Sequence, residues 1–271
     1  MANSIFTTDG RRRPGRDRFV PTEHARGPWD PRAVHGGAPA ALIVSAFERM
    51  NPGIELRIAR LSFEFLRPIP LEPLTLTTRI VRPGRRVQEL AAELLAGEQT
   101  IVRASALRVT AVPNDAAAAA PQTSRDLGEP LAPPCDGQLI RFALDGGKDA
   151  SFAGSAMEMR WLSNPKDLGP GRVWMRLRHP LLPDEPPTPL ARLAATADFG
   201  NGVSAALAFD RFVFINADLT IHLQRAPRGE WIGLDARTLL RDGGAATAES
   251  VLHDETGPLG RAFQTLVVQS R

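Results

Sequence analysis

Cysteine is almost absent: Cys135 is the only one in 271 residues. That excludes an intrachain disulfide and any metal site built on a cysteine cluster. The five histidines are scattered without close spacing, so no metal centre is expected. Long apolar runs are also missing. The longest, Ala38 to Phe47, falls far short of the roughly 20 residues that span a bilayer. After Arg11-Arg12-Arg13 the chain continues with charge and proline, where a secretory signal would turn apolar. These absences point to a cytoplasmic protein without a membrane span. Lysine is scarce too. Only Lys148 and Lys166 stand against 31 arginines, so the pI is about 9.9 although the net charge is only +3. A GC-rich genome writes this bias together with abundant Ala and Pro. The run Arg11 to Arg16 has no interleaved aromatic residues and no nucleic-acid-reading motif after it. It reads as a solvated, mobile arm, and nucleic acid is not an expected partner. No Gly-x-Ser-x-Gly elbow exists for a serine hydrolase. Asp198-Phe199-Gly200 imitates a kinase motif but lacks the other kinase elements.

What is present is ordinary globular material, 43% apolar and 23% charged, enough for one large domain or two moderate ones. A weak internal repeat divides it. Leu61-Ser62-Phe63-Glu64-Phe65-Leu66-Arg67-Pro68 and Leu219-Thr220-Ile221-His222-Leu223-Gln224-Arg225-Ala226 both begin as period-two strands and both reach Arg at the same step. Their offset, 158, also sets Arg103-Ala104 on Arg261-Ala262. Each half has one helix candidate upstream of its matched strand. The first follows Gly36-Gly37, with Pro39 in its first turn, and is apolar nearly all round, which predicts burial on every side. The second covers Leu190 to Ala197. Each half therefore reads as one buried helix followed by an antiparallel sheet. Ala116 to Pro134, rich in Ala and Pro, reads as a linker. The expected units are residues 1–112, a linker at 113–135, and 136–271.

At this point the chain resembles a known family. Gly27-Pro28-Trp29-Asp30, then His35-Gly36-Gly37 opening a buried helix, then Phe63 to Pro68, is similar to the double-hotdog acyl-CoA thioesterases of the thioesterase II type. The resemblance implies an α+β fold of two fused hotdog units, with antiparallel sheets wrapping two buried central helices. It implies hydrolysis of an acyl-CoA, in lipid metabolism, with no cofactor. Sheet or helix surfaces would leave room for a homo-oligomer. The family holds a water with an acid, a hydroxyl and an amide from the second half. Those positions match Asp198, Asn216 and Gln264, so Asn replaces the hydroxyl residue. Asn can still both donate and accept.

The residues carry their own reading beside this one. A carboxylate at Asp198, after a run of small and apolar residues, is costly unless paired, and the helix dipole disfavours it at a C-terminus. Gln264 shares a strand face with Ala262 and Leu266, as a site amide or as a core amide bonded to backbone. The offset sets Asn216 on Ile58 and Gln264 on Ala106. It sets Asp198 on Ala40, or on Val44 with a four-residue gap. The polarity is thus expected on one side only. Gly36 and Gly37 place backbone N–H groups at a helix start, where they could face a developing oxyanion or simply let the helix pass close to the sheet. His35 and His222 are candidate lining residues for the substrate. Arg82, Arg85 and Arg86, around Pro83-Gly84, are candidates for the CoA phosphates. An inactive acyl-CoA-binding protein and, less readily, a hotdog hydratase remain as alternatives.

Overall fold

The computed structural model describes residues 3–8, 15–50, 55–110, 121, 127–141 and 150–271. In the first half, β1 (Phe6–Thr8) and β2 (Arg16–Pro21) precede α1 (Gly37–Arg49). Then come β3 (Leu56–Phe65), β4 (Leu74–Arg82), β5 (Val87–Ala96) and β6 (Gln99–Thr110). The second half opens with β7 (Gln138–Leu139), β8 (Met157–Trp161) and β9 (Gly171–Leu177), ahead of α2 (Pro189–Ala197) and the short α3 (Gly200–Val203). It closes with β10 (Phe212–Asn216), β11 (Asp218–Leu223), β12 (Ile232–Leu240), β13 (Ala245–Asp254) and β14 (Gly257–Ser270). All these strands join one antiparallel sheet in the order β1-β2-β4-β5-β6-β3-β11-β14-β13-β12-β9-β8-β7, with β10 also on β14.

The repeat is written in the hydrogen-bond register. Ser62 pairs with Ser105, and their mates Thr220 and Phe263 pair with each other. Ala91 pairs with Ser105 as Glu249 does with Phe263, and Leu74 with Ala96 as Ile232 does with Asp254. One offset therefore holds across four strands. The halves meet where β3 pairs with β11, and Ser62 lies opposite Thr220, its own mate. A pseudo-twofold axis passes there. Each copy also slips register by one residue at the same place. Ile58 faces Arg108 but Arg60 faces Leu107, while Asn216 faces Leu266 but Thr220 faces Phe263. The extra residues are Ala59 and Ala217, which are mates. Such bulges bend a strand and re-aim neighbouring side chains.

Both helices lie in the core between the halves. Ten of the thirteen α1 residues are buried, as are all α2 residues after Pro189. Thr188 caps α2 by accepting the Ala191 N–H at 3.1 Å, and Pro189 takes the first position, where a missing N–H costs nothing. Arg108 closes the other helix, its guanidinium donating to the carbonyls of Phe47 and Met50.

Three readings change. Each half does not begin with its helix, because two or three short strands come first. They lie at the two ends of the sheet, with β1 and β7 as its edges, and β2 buries only Phe19 and Pro21, too few for a clear period. The basic arm is not all loose: Arg16 opens β2, while Arg11 to Pro14 lie outside the described residues. Just upstream, the Ile5 and Phe6 N–H groups donate to the Pro180 and Leu181 carbonyls, tying the N-terminus to the second half. The linker's last residues are docked rather than free, since Trp174 Nε1 donates to the Ala132 carbonyl at 2.7 Å; residues 111–120 and 122–126 lie outside the described residues.

One consequence concerns acid stability. His253 on β13 is 1% exposed, its Nδ1 has no hydrogen-bond partner among the described residues, and burial lowers its pKa to about 4. Burial also lowers His24 and His179. The unfolded chain, with histidines near 6.5, then binds more protons than the folded one below that pH. Stability should fall as pH drops from about 6.5 towards 4. Asp254, held at about 2 against its burial by Arg225 and Thr256, adds to the loss only at lower pH. His253→Leu should flatten the dependence of the melting temperature on pH across that window; an unchanged slope would refute it.

Candidate active site

Asp198 ends α2, and its residue is 4% exposed. The bulge at Ala217 turns Asn216 towards it, and Asn216 Nδ2 donates to Asp198 Oδ1 at 2.8 Å and to the Asp218 carbonyl at 3.1 Å. Gln264 reaches it from β14, donating through Nε2 to the Asp198 carbonyl at 3.0 Å and, more weakly, to Oδ1 at 3.4 Å. The Gln264 oxygen accepts the Asn201 N–H at 2.9 Å. Gly200 makes that approach possible, because a Cβ there would stand 2.8 Å from the same oxygen. The three matched residues are thus brought together. Gln264 is bound at both ends and fixes the turn that carries Asp198. Asn216 spends both donors and keeps its oxygen as an acceptor.

The other Asp198 oxygen, Oδ2, faces the first half. It lies 3.1 Å from His35 Nδ1, which also accepts the Gly37 N–H at 3.0 Å. Nδ1 carries either a lone pair or a proton. Unprotonated, it takes the Gly37 N–H; protonated, it donates to Asp198. The imidazole stacks on Phe199 at 4.4 Å and meets Phe152, tilted, at 5.0 Å, while the two phenylalanines stack on each other at 5.8 Å. Neither phenylalanine was signalled by the sequence pattern, since each becomes important only through the ring it covers.

The two glycines do different work. Gly36 lines the cleft, and a Cβ there would sit 2.8 Å from Asp198 Oδ2. A Cβ on Gly37 would meet the Ala195 carbonyl at 2.5 Å, so Gly37 is what lets α1 and α2 touch. Gly37→Ala should therefore cost about 1–3 kcal/mol of stability by overpacking. Gly36→Ala should mainly displace the carboxylate and slow any reaction it supports. Melting temperature and turnover, measured on both variants, separate these effects, and equal melting losses would contradict the division.

The cleft has a volume of about 460 Å³ and runs from Asp198 and Asn216 past Phe65 and Ile215 to Trp29 and Arg67 at its mouth. The remaining candidates lie elsewhere. His222 is exposed on the opposite face of β11, opposite Arg60 and Arg261. Arg82, Arg85 and Arg86 are exposed at the β4–β5 turn, where the Arg86 carbonyl accepts the Thr110 N–H and Thr110 pairs with Leu56. That is the far end of β3 from Phe65. Among the described residues, no group of three His, Cys, Asp or Glu side chains could hold a metal, and no helix is long and apolar enough to cross a membrane.

Comparisons with known proteins bear on this arrangement. Residues 25–109 match the family model of the acyl-CoA thioesterase N-terminal domain, and residues 129–268 match that of the C-terminal domain. Among solved structures, the acyl-CoA thioesterase II TesB2 of Mycobacterium marinum is 19% identical, with 88% of this chain and 90% of that one covered at a TM-score of 0.66. A protein provisionally named a thioesterase from Novosphingobium aromaticivorans is 21% identical, covering 97% and 98% at 0.74. A hotdog-fold protein of unknown function from Alicyclobacillus acidocaldarius is 16% identical, covering 98% and 96% at 0.72. At these identities the likeness establishes the fold, a double hotdog. No curated protein sequence matches the chain.

Proposed function

Because this chain belongs to the acyl-CoA thioesterase family through both of its domain models, we propose that it hydrolyses an acyl-CoA thioester to a free acid and CoA. The observation that carries this reading is a buried carboxylate, Asp198 of one half, set against Gly36 at the helix start of the other, both lining one open cleft. A water between Asp198 and the free oxygen of Asn216 attacks the thioester carbon and gives its proton to Asp198. The carbonyl oxygen gathers charge against the Gly36 N–H, which has no acceptor among the described residues, and against the positive end of α1. Gly37 is the poorer donor, because its N–H is held by His35. As the carbonyl re-forms, the carbon–sulfur bond breaks, and the proton on Asp198 passes to the departing thiolate.

Asn216 supports this reading in place of a hydroxyl residue, since it supplies a donor to Asp198 Oδ1 and retains an acceptor for water. The cation at the mouth is Arg67, which makes it a better partner for the CoA phosphates than the distant arginine turn. The setting we propose is cytoplasmic lipid metabolism, in keeping with a single exposed cysteine. Free thiol release from a panel of acyl-CoAs of increasing chain length tests the reading. Turnover of at least one member is expected; tight binding without release would identify a binding protein instead.

A further inference from the structure

The pseudo-twofold axis that builds the candidate active site also builds a second cleft, of about 310 Å³, at the opposite ends of the same two helices. Its lining repeats the first. Ile58, Arg57, Ala226 and Pro227 stand where the offset of 158 puts the mates of Asn216, Ile215, Pro68 and Ile69, which line the active cleft. The helices follow another offset. Setting Pro39 on Pro189 brings Glu48, not Ala40 or Val44, onto Asp198. The contacts agree: Asp198 meets the start of α1, and Glu48 meets the start of α2, where Thr188 Oγ1 donates to Glu48 Oε2 at 2.5 Å. The polarity expected on one side only is therefore present on both at the helix ends.

The second cleft cannot repeat the chemistry of the first. Pro186 and Pro187, which this alignment sets on Gly36 and Gly37, have no N–H, and the Ala191 N–H is already held by Thr188. The mates of Asn216 and Gln264 are Ile58 and Ala106, which neither hold nor orient a water. What remains is a binding surface with an apolar wall, from Leu56, Ile58, Leu190 and Pro227, and a charged end. Arg108 and Arg57, the latter donating to the Gln224 carbonyl at 2.7 Å, line this end with one carboxyl, Glu48, whose charge is disfavoured by burial. Arg108 is 4% exposed; its guanidinium already donates to the Phe47 and Met50 carbonyls and to Gln88 Oε1, and its remaining N–H groups are in the core, where an anion gains most from them. The exposed arginine turn at residues 82–86 lies at this end of the sheet and adds positive potential around the opening.

We infer that this second cleft is a non-catalytic binding site for a monocarboxylic acid with an apolar tail, its carboxylate on Arg57 and Arg108 and its tail on the Leu56–Leu190 wall. Such an acid is the product class of the proposed hydrolysis, and the identity of the ligand rests on that reading, whereas the charge and shape of the cleft do not. An occupant would touch the C-terminal end of α1 and the N-terminal end of α2, the ends opposite those that carry Gly36 and Asp198.

Octanoate labelled with carbon-13 at its carboxyl group, added to the full chain and followed by NMR, tests the site without any turnover. Two exposed positions allow each cleft to be filled separately: Ala226→Trp for the second and Ile215→Trp for the first. A bound carboxyl signal that persists in Ile215→Trp and is lost in Ala226→Trp is expected, and Arg57→Gln should weaken it about tenfold. Ala226→Trp should leave thiol release from acyl-CoA unchanged. A signal lost only in Ile215→Trp would show that the acid occupies the active cleft alone and would overturn the inference, as would no binding at all. Failure of the proposed hydrolysis would appear in the thiol assay and leave the NMR result standing. The melting temperature of Ala226→Trp checks that the variant is folded; were it destabilised, the tenfold weakening in Arg57→Gln would decide instead, and unchanged binding there would overturn the inference.

Discussion

Replacing Asp198 by asparagine should lower the turnover number by about 10²- to 10⁴-fold, the usual worth of general-base assistance. The variant has the same shape. Its amide oxygen can still accept from Asn216 Nδ2, and its amide nitrogen fills the place of Oδ2 beside His35. Folding should therefore survive, with the melting temperature within a few degrees of wild type. What is lost is the capacity to take a proton from water. Gln264→Ala should cost less in rate but more in stability, because Gln264 mainly holds the Asp198 carbonyl and the Asn201 N–H and reaches the carboxylate only through its weaker 3.4 Å bond to Oδ1. Thiol release at substrate saturation, with circular dichroism melts alongside, measures both. Wild-type turnover in Asp198→Asn would move the site elsewhere.

Expressed alone, residues 136–271 should not give a soluble, cooperatively melting protein. Cutting the chain there strips β3 from β11 and leaves an unpaired central edge carrying Leu219 and Ile221, both fully buried in the whole molecule. It also bares the face of α2 against which Gly37 packs, and the Pro180–Leu181 carbonyls lose the N–H groups of Ile5 and Phe6. Each loss exposes apolar surface or unpaired backbone that the fragment has no other means to cover. Co-expression with residues 1–112 should restore solubility. A monomeric fragment with a sharp melting transition would show that the halves are independent domains.

The sequence by itself determined the parts whose signal is local or periodic. Alternation at Leu61 to Phe65 and Leu219 to Leu223 marked the two strands that meet at the centre, because side chains on a pleated strand point to alternate faces. The offset of 158 carried into the register of four strands, since identical turn lengths leave no freedom to slip. Asp198, Asn216 and Gln264 were legible as a group through the family's pattern, and they converge. Tertiary structure decided everything that depends on which surfaces meet. Only the approach of α1 to α2 separates Gly36, at the cleft, from Gly37, at the helix contact, and only it brings His35 to Asp198. The helices obey a different offset from the sheets because the connections around them differ in length, so aligning the strands misplaced the mate of Asp198 by several residues. Glu48 carried no signal of its own in the sequence, and only packing sets it against Thr188. The arginine turn, chosen for its chemistry, falls at the far end of β3 from the candidate active cleft, since charge is written in a sequence but direction along a sheet is fixed only when the strands pair.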